Sequence, residues 1–296
     1  MVEQSDRMYG GTCVNVGCVP TKALVHEAEN RRDSDDPRRW YTDSIGKVDA
    51  LTTRLRGINF AMLDTIDAVT VITGHAVFFD AHTVEISAGA DRLTVRAESI
   101  VIGSGSEPVI PDIPGLRDSS QLVTSTDLIA TSALPDRLAV LGGGYLGIEF
   151  AAIYRRFGSE VTVLDQAPAL FRHEDDDVAA DAIGILDEER IKMITGVDVD
   201  KVRDTGQGTA VLSYGNARAG MSSKSTWSWP PPGADPQPVN WVWRRRALRP
   251  TRTVPSSWTS TCGAASRTYL RSATSTAAHS SPTYRSTTAG SSQTNL

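Results

Sequence analysis

The sequence predicts an α/β fold followed by a disordered tail, and three observations predict it. A strand, a glycine loop and a helix follow one another over residues 137–157. Short alternating runs between residues 69 and 95 read as a β-meander. The composition changes abruptly at residue 216. At 296 residues the chain has room for about two domains, and its 40% hydrophobic content can build a core for them. No apolar run is long enough to span a bilayer and no secretory signal is visible, which points to the cytoplasm and away from a membrane. Three cysteines are too few for a disulfide scaffold, whereas a catalytic pair suits a reducing compartment.

Near the N-terminus, Val2-Glu3 ends a short strand. Gly10-Gly11-Thr12-Cys13-Val14-Asn15-Val16-Gly17-Cys18 then places two cysteines with four residues between them. Gly17 permits the bend that a small-ring disulfide needs. Val19-Pro20 opens a helix running to Glu29, and proline is tolerated there. A thiol at a helix N-terminus faces the positive end of the dipole, which favours thiolate. A zinc half-site would need two further ligands, and the remaining cysteine, Cys262, is remote. A redox-active dithiol is therefore the expected chemistry, and two buried thiols the bland alternative.

Val69–Ile72, Thr83–Ile86 and Leu93–Val95 form the expected meander. Glu98–Ser106 reads as a buried strand that enters a Gly/Ser turn. Arg137–Leu141 is a strand, Gly142-Gly143-Gly144-Tyr145-Leu146-Gly147 fits G-x-G-x-x-G, and Tyr145–Phe157 is the helix that follows. This is the context the dinucleotide fingerprint requires. Gly142 permits the tight turn, Gly144 lets backbone approach a pyrophosphate, and Gly147 lets helix and strand pack closely. A second strand, Glu160–Leu164, ends at Asp165, where an acid can bind adenosine ribose hydroxyls and repel a 2′-phosphate. NADH is accordingly favoured over NADPH. A solvated strand end is the plain reading of Asp165. His173-Glu174-Asp175-Asp176-Asp177 has metal-ligand residue types, but it reads as the solvated cap of a helix over 177–190, and no metal site is expected.

Residues 216–296 contain no Ile, Phe or Glu and five of the six tryptophans. They carry ten Lys/Arg and one acid, a charge of +9 that leaves −14 for residues 1–215. One reading is a basic arm for nucleic acid, with Trp227, Trp229, Trp241 and Trp243 stacking on bases. The other is translation out of frame.

The dithiol loop resembles the active-site loop of the flavoprotein disulfide reductases, the class I pyridine nucleotide-disulfide oxidoreductases. The wider match from Glu3 to His26 is most similar to their reactive-chlorine-resistance, mercuric-reductase-like branch. The resemblance runs from about Val2 to Tyr214. It implies an incomplete architecture of two dinucleotide-binding folds. Residues 1–115 would be a partial FAD-binding domain, 116–215 a partial NAD(P)-binding domain, and 216–296 a disordered, out-of-frame tail. It also implies a relay from NAD(P)H through FAD to the Cys13–Cys18 disulfide, and on to a disulfide or a soft ion such as Hg2+ or Cu2+. Cys18 would lie nearest the flavin and Cys13 would exchange with substrate. Lys22 would sit by the flavin ring, in a buried pair with Glu149. Tyr145 would gate the flavin; a packing residue is the competing reading. Glu3 would be the FAD-ribose acid, His75-Ala76 the adenine-contacting segment, and Gly11, Thr12, Gly103 and Ser104 further cofactor contacts.

The family's first glycine loop is expected before Glu3 and is not in the sequence. Its C-terminal dimerisation domain, which makes those enzymes homodimers, is also missing. In the tail, joining the third base of each codon to the first two of the next permits Gly-Asp-Val-Asn-Gly-Gly-Pro-Gln-Phe-Thr-Tyr-Ile across Ser272–Tyr284. That string resembles the family's second flavin motif, so the frame is expected to slip near Ser213–Asn216. Nucleic acid is then an unexpected partner. The chain as written is expected to hold no FAD and to show no reductase turnover. The alternative is a nucleotide-binding remnant whose basic tail contacts nucleic acid.

Overall fold

The structure, a computed structural model, describes residues 1–105, 107–206, 208–216 and 222–223. The expected tail, with its tryptophans, Cys262 and shifted frame, lies outside the described residues apart from the backbone of Asn216 and of Ser222–Ser223. Ser106 lies outside them as well.

Strand β1 (Val2–Glu3) leads into a short helix α1 (Gly11–Asn15), then α2 (Cys18–Glu29) and the long α3 (Pro37–Asp64). Asp36 caps α3 by accepting a hydrogen bond from the Arg39 N–H at 2.7 Å, and Pro37 occupies the first helical position, where its missing donor costs nothing. Strand β2 (Ile72–Thr73) pairs in parallel with β1, and β3 (His75–Phe78), β4 (Thr83–Ala88) and β5 (Asp91–Arg96) form an antiparallel meander.

The meander begins at His75, not Val69. Only Ile72 and Thr73 of that region are strand, and they pair with β1. The switch of partner falls at Gly74, where a Cβ would lie 2.7 Å from the Ser87 carbonyl oxygen. The apolar run Ile100–Ile102 is not a buried strand: Val101 is 73% and Ile102 49% exposed. A parallel strand is held by ladder partners, and the β1–β2 ladder is two residues long on each side and stays two-stranded.

The second half is regular. Helix α4 (Ser125–Leu128) carries a capping box between Thr124 and Asp127. Then β6 (Arg137–Leu141), α5 (Tyr145–Phe157), β7 (Glu160–Asp165), α6 (Asp176–Glu188) and β8 (Lys192–Thr195) build a parallel sheet of order β6-β7-β8. Strands β9 (Val197–Asp204), β10 (Ala210–Asn216) and β11 (Ser222–Ser223) form an antiparallel sheet, with a register shift between Ser213 and Tyr214.

Sheet β6-β7-β8 separates two cores. Leu138 and Val140 of β6 face one, with Leu24 and Ala28 of α2, Tyr41 and Ile45 of α3, and Phe150, Tyr154 and Phe157 of α5. Ala139 and Leu141 face the other, with Leu116, Val202, Leu212 and Tyr214. A strand covered on both faces carries apolar side chains at successive positions, which is why Leu138–Leu141 is unbroken. The first core takes residues from both sides of position 115. Inside it the Tyr41 and Tyr154 hydroxyls lie 2.7 Å apart, within reach of the Leu128 and Thr131 carbonyls at 2.9 Å. Burial raises both phenols above their ordinary range. Replacing Tyr154 with Phe removes one hydroxyl from this closed network and is expected to destabilise the fold by about 1–3 kcal/mol, read from the shift in urea midpoint.

Candidate functional site

Gly10 and Gly11 have φ of 90° and 71°, a left-handed pair that turns the chain into α1. The α1 segment places Cys13 on a single exposed turn. Gly17 then doubles the chain back: a Cβ there would meet the Thr12 carbonyl oxygen at 2.9 Å. Cys18 thus becomes the first residue of α2, beside Cys13. Both thiols are free and exposed. The side chain of the intervening Asn15 is buried and donates to the Tyr9 carbonyl at 2.9 Å and the Gly11 carbonyl at 2.8 Å, while accepting from Arg56 of α3 at 2.8 Å.

The thiol that faces the start of α2 is Cys13. Backbone N–H groups of Cys18 and Val19 approach its sulfur and pull its pKa down, as a helix N-terminus does. Yet the net direction is up, because the Cys13 thiol hydrogen-bonds the Cys18 sulfur and because of partial burial. The thiol form of Cys13 is therefore favoured while Cys18 is its neighbour.

Helices α2 and α5 run side by side in the same direction. Lys22 Nζ meets Glu149 Oε1 at 2.7 Å, and Glu29 Oε1 meets Arg156 Nη1 at 2.9 Å. These partners are seven residues apart on each helix, a rise of about 10.5 Å on both. The parallel setting puts the first residues, Cys18 and Tyr145, level at one rim. The Lys22–Glu149 pair was expected to be buried. It forms, but Lys22 is 68% exposed, because the pair lies at the open rim above the core.

At the same rim, Gly142 has φ of 110°, and a Cβ on Gly147 would sit 2.0 Å from the Gly142 carbonyl oxygen. The helix therefore touches its own loop. Gly144 caps α5 without any side-chain cap, and a Cβ there would meet nothing within 4 Å. The uncapped start of this 13-residue helix therefore has open space beside Gly144, which fits a pyrophosphate. Asp165 accepts from the Gly143 N–H at 2.5 Å and from the Ala167 N–H at 2.6 Å, so its carboxylate is held beside the loop. Tyr145 is 64% exposed and donates its hydroxyl proton to Glu174, with the Phe171 ring 6.4 Å away. The carboxylate partner raises the Tyr145 pKa.

Elsewhere, the Glu3 carbonyl accepts from the Gly74 N–H at 2.9 Å, which ties Glu3 to the exposed His75-Ala76 segment. Gly103 and Ser104 are exposed in irregular chain, and the neighbouring Gly105 would place a Cβ 3.9 Å from Thr12 Oγ1. The acidic run at 173–177 precedes α6, but its N-cap residue Asp175 makes no side-chain cap bond, and Glu174 is engaged by Tyr145. No group of three or more His, Cys, Asp or Glu residues that could hold a metal exists among the described residues. Nor is any helix there long and apolar enough to cross a membrane. Sequence reasoning missed Arg56, Asn15 and Glu174. The only signal for the second ion pair was the repeated seven-residue spacing.

Two outcomes follow from this geometry. In Cys18→Ala the pH midpoint for alkylation of Cys13 by iodoacetamide should fall, because the thiol–sulfur bond goes and the amides stay. Gly17→Ala should destabilise the chain by about 1–3 kcal/mol in urea titration, since the clash is with backbone.

Residues 1–220 match the family described as pyridine nucleotide-disulphide oxidoreductase. The chain is 36% identical over 202 residues to the probable pyridine nucleotide-disulfide oxidoreductase RclA of Escherichia coli K12, covering 68% of this chain and 44% of that protein. It is 32% identical over 221 residues to a mercuric reductase of Staphylococcus aureus, covering 71% and 39%. It thus spans less than half the length of these relatives. The structure superposes on the copper(II) complex of the HOCl-induced flavoprotein disulfide reductase RclA from Escherichia coli with a TM-score of 0.68 at 30% identity, over 83% of this chain and 51% of that one. The α/β architecture read from the sequence is that of these enzymes, and the chain belongs to the pyridine nucleotide-disulphide oxidoreductases, a family that works with FAD and NAD(P)H.

Proposed function

We propose that this chain carries the electron-transfer segment of a flavin- and nicotinamide-dependent reductase, with Cys13 and Cys18 as its redox dithiol. The observation that carries the reading is the parallel pairing of α2 and α5, which sets the dithiol and the nucleotide loop at one rim with Lys22–Glu149 between the helices. Residues 1–115 then form the flavin side and residues 116–215 the nicotinamide side. FAD, when bound, supplies the two-electron exchange between nicotinamide and sulfur.

The chain's own groups perform the rest. The first-turn amides of α5 bind the dinucleotide pyrophosphate, and Gly144 leaves the room for it. Asp165 spends one lone pair of each oxygen on backbone amides and keeps the others for ribose hydroxyls, so NADH is preferred and a 2′-phosphate is repelled. Lys22, fixed by Glu149, presents its ammonium at the rim as a positive charge for a flavin ring. Glu3 and His75-Ala76 take the ribose and adenine end, and Gly11, Thr12, Gly103 and Ser104 the dithiol end. Tyr145 stands over the nucleotide loop. Cys18 takes the flavin-side role and Cys13, on its exposed turn, the exchange with substrate. Two adjacent exposed thiols suit a disulfide or a soft metal ion. The mercuric reductases and the copper(II) complex among the relatives favour the ion. Flavin is held weakly by the described residues, because the β1–β2 ladder is short and the apolar run at 100–102 is open to solvent.

The test is equilibrium binding followed by turnover. NADH is expected to bind about tenfold more tightly than NADPH, and Asp165→Ala to narrow that gap. Gly147→Ala should weaken both, since its methyl displaces the loop. Equal affinity for the two nucleotides would overturn the assignment of Asp165. NADH-driven reduction of Hg2+ or of a disulfide in the presence of added FAD, lost in Cys13→Ala, tests the dithiol.

A further inference from the structure

We propose that Arg56, on α3 and 38 residues beyond Cys18, is a positioning residue for the dithiol, acting through Asn15. The proposal rests on reading Cys13 and Cys18 as a redox pair.

Asn15 is the last residue of α1, between the two cysteines, and its side chain is buried although it is polar. Its amide NH2 donates both protons back to the start of the loop, to the Tyr9 and Gly11 carbonyls. Its one oxygen accepts from Arg56 Nε at 2.8 Å. A primary amide has two donor protons and one carbonyl oxygen, so both donors are in use and the oxygen is fixed in direction. The amide is therefore a rigid brace. It closes the turn that carries Cys13 onto Gly11 and bolts that turn to α3.

The anchor itself is part of a helix packed into the core. The residues of α3 upstream of Arg56, Tyr41, Ile45 and Val48, are buried in the first core. Downstream, Phe60 packs its ring edge-on against Tyr9 at 4.8 Å, at the entrance of the same loop. Arg56 and Phe60 are one helical turn apart, so α3 holds the loop at two points on one face. Cys18 needs no such brace, because it is the first residue of α2, whose Leu24 and Ala28 are in the core. Cys13 has only a five-residue helix beneath it. Its distance from Cys18 is thus set by the Asn15–Arg56 link together with the Gly17 bend.

The consequence is thermodynamic. Forming the disulfide joins the two sulfurs and releases two electrons and two protons; dithiothreitol disulfide takes both and becomes the dithiol. The equilibrium constant of this exchange measures how closely the folded chain holds the two thiols together. Loosening Cys13 lowers it. Removing the Arg56 donor also leaves the buried Asn15 oxygen without its partner, which costs enough to free the turn.

The experiment is the dithiothreitol redox equilibrium of the full chain without added cofactor, with the Cys13–Cys18 disulfide quantified by peptide mass mapping. Arg56→Met is expected to lower the disulfide equilibrium constant by about fivefold or more, with far-ultraviolet circular dichroism unchanged and the urea midpoint lowered only by the loss of one hydrogen bond. Arg56→Lys keeps the charge and a donor and should recover part of the loss; it decides the question if Arg56→Met does not fold. An equilibrium equal to wild type in the folded variant overturns the positioning role. Failure of the wild-type chain to form a reversible Cys13–Cys18 disulfide overturns the dithiol reading itself, and this proposal with it.

Discussion

The parallel packing of α2 on α5 is the constraint on which the rest of this structure depends. Two helices that each begin in a glycine-rich segment bring their positive ends to one rim only if they run in the same direction and in register. Like-directed dipoles repel side by side, so something else must hold them. The shared core of Leu24, Ala28, Phe150, Tyr154 and Phe157 supplies the attraction, and two ion pairs at matching heights set the register. The ion pairs are partly solvated, with Lys22 68% exposed, and exposed pairs contribute little energy. Their role is alignment, and apolar burial supplies the stability.

From that alignment the electrostatics of the rim follow. The start of α5 has no side-chain cap, which leaves its first amides available to an anion. The amides at the start of α2 are used differently, since those of Cys18 and Val19 turn toward the Cys13 sulfur. One helix end is left uncapped and the other meets a thiol of the same chain. The glycines that permit this are each forced by a short contact. Gly147 sits 2.0 Å, at a virtual Cβ, from a carbonyl of its own loop, and Gly17 sits 2.9 Å from the carbonyl of Thr12. A side chain at either position would push the helix start away from its partner.

The two halves of the chain were not equally legible. Strand Arg137–Leu141, helix Tyr145–Phe157 and strand Glu160–Asp165 fall where the pattern placed them. Their signals are local: an apolar run, a glycine turn, a 3.6-residue stripe. The earlier half reads less well because its strands depend on partners. Val69–Ile72 has the composition of a strand, but only Ile72 finds a ladder, and Ile100–Ile102 has the composition of a buried strand and finds none. Apolar residues state that burial is favourable; they do not state that a neighbour is there to provide it. The same limit applies to Lys22 and Glu149, which do meet but lie at an open rim.

By itself the sequence determined the fold class, the family, and the strand–glycine loop–helix unit at 137–157, because each is written in contiguous residues whose spacing carries the signal. Tertiary structure alone decided that Lys22 of α2 meets Glu149 of α5 at an open rim, and that Arg56 reaches back across 41 residues to Asn15. Those are distances between segments remote in the chain. They are set by the packing of α3 and α5 against α2, and no local pattern of residues encodes them.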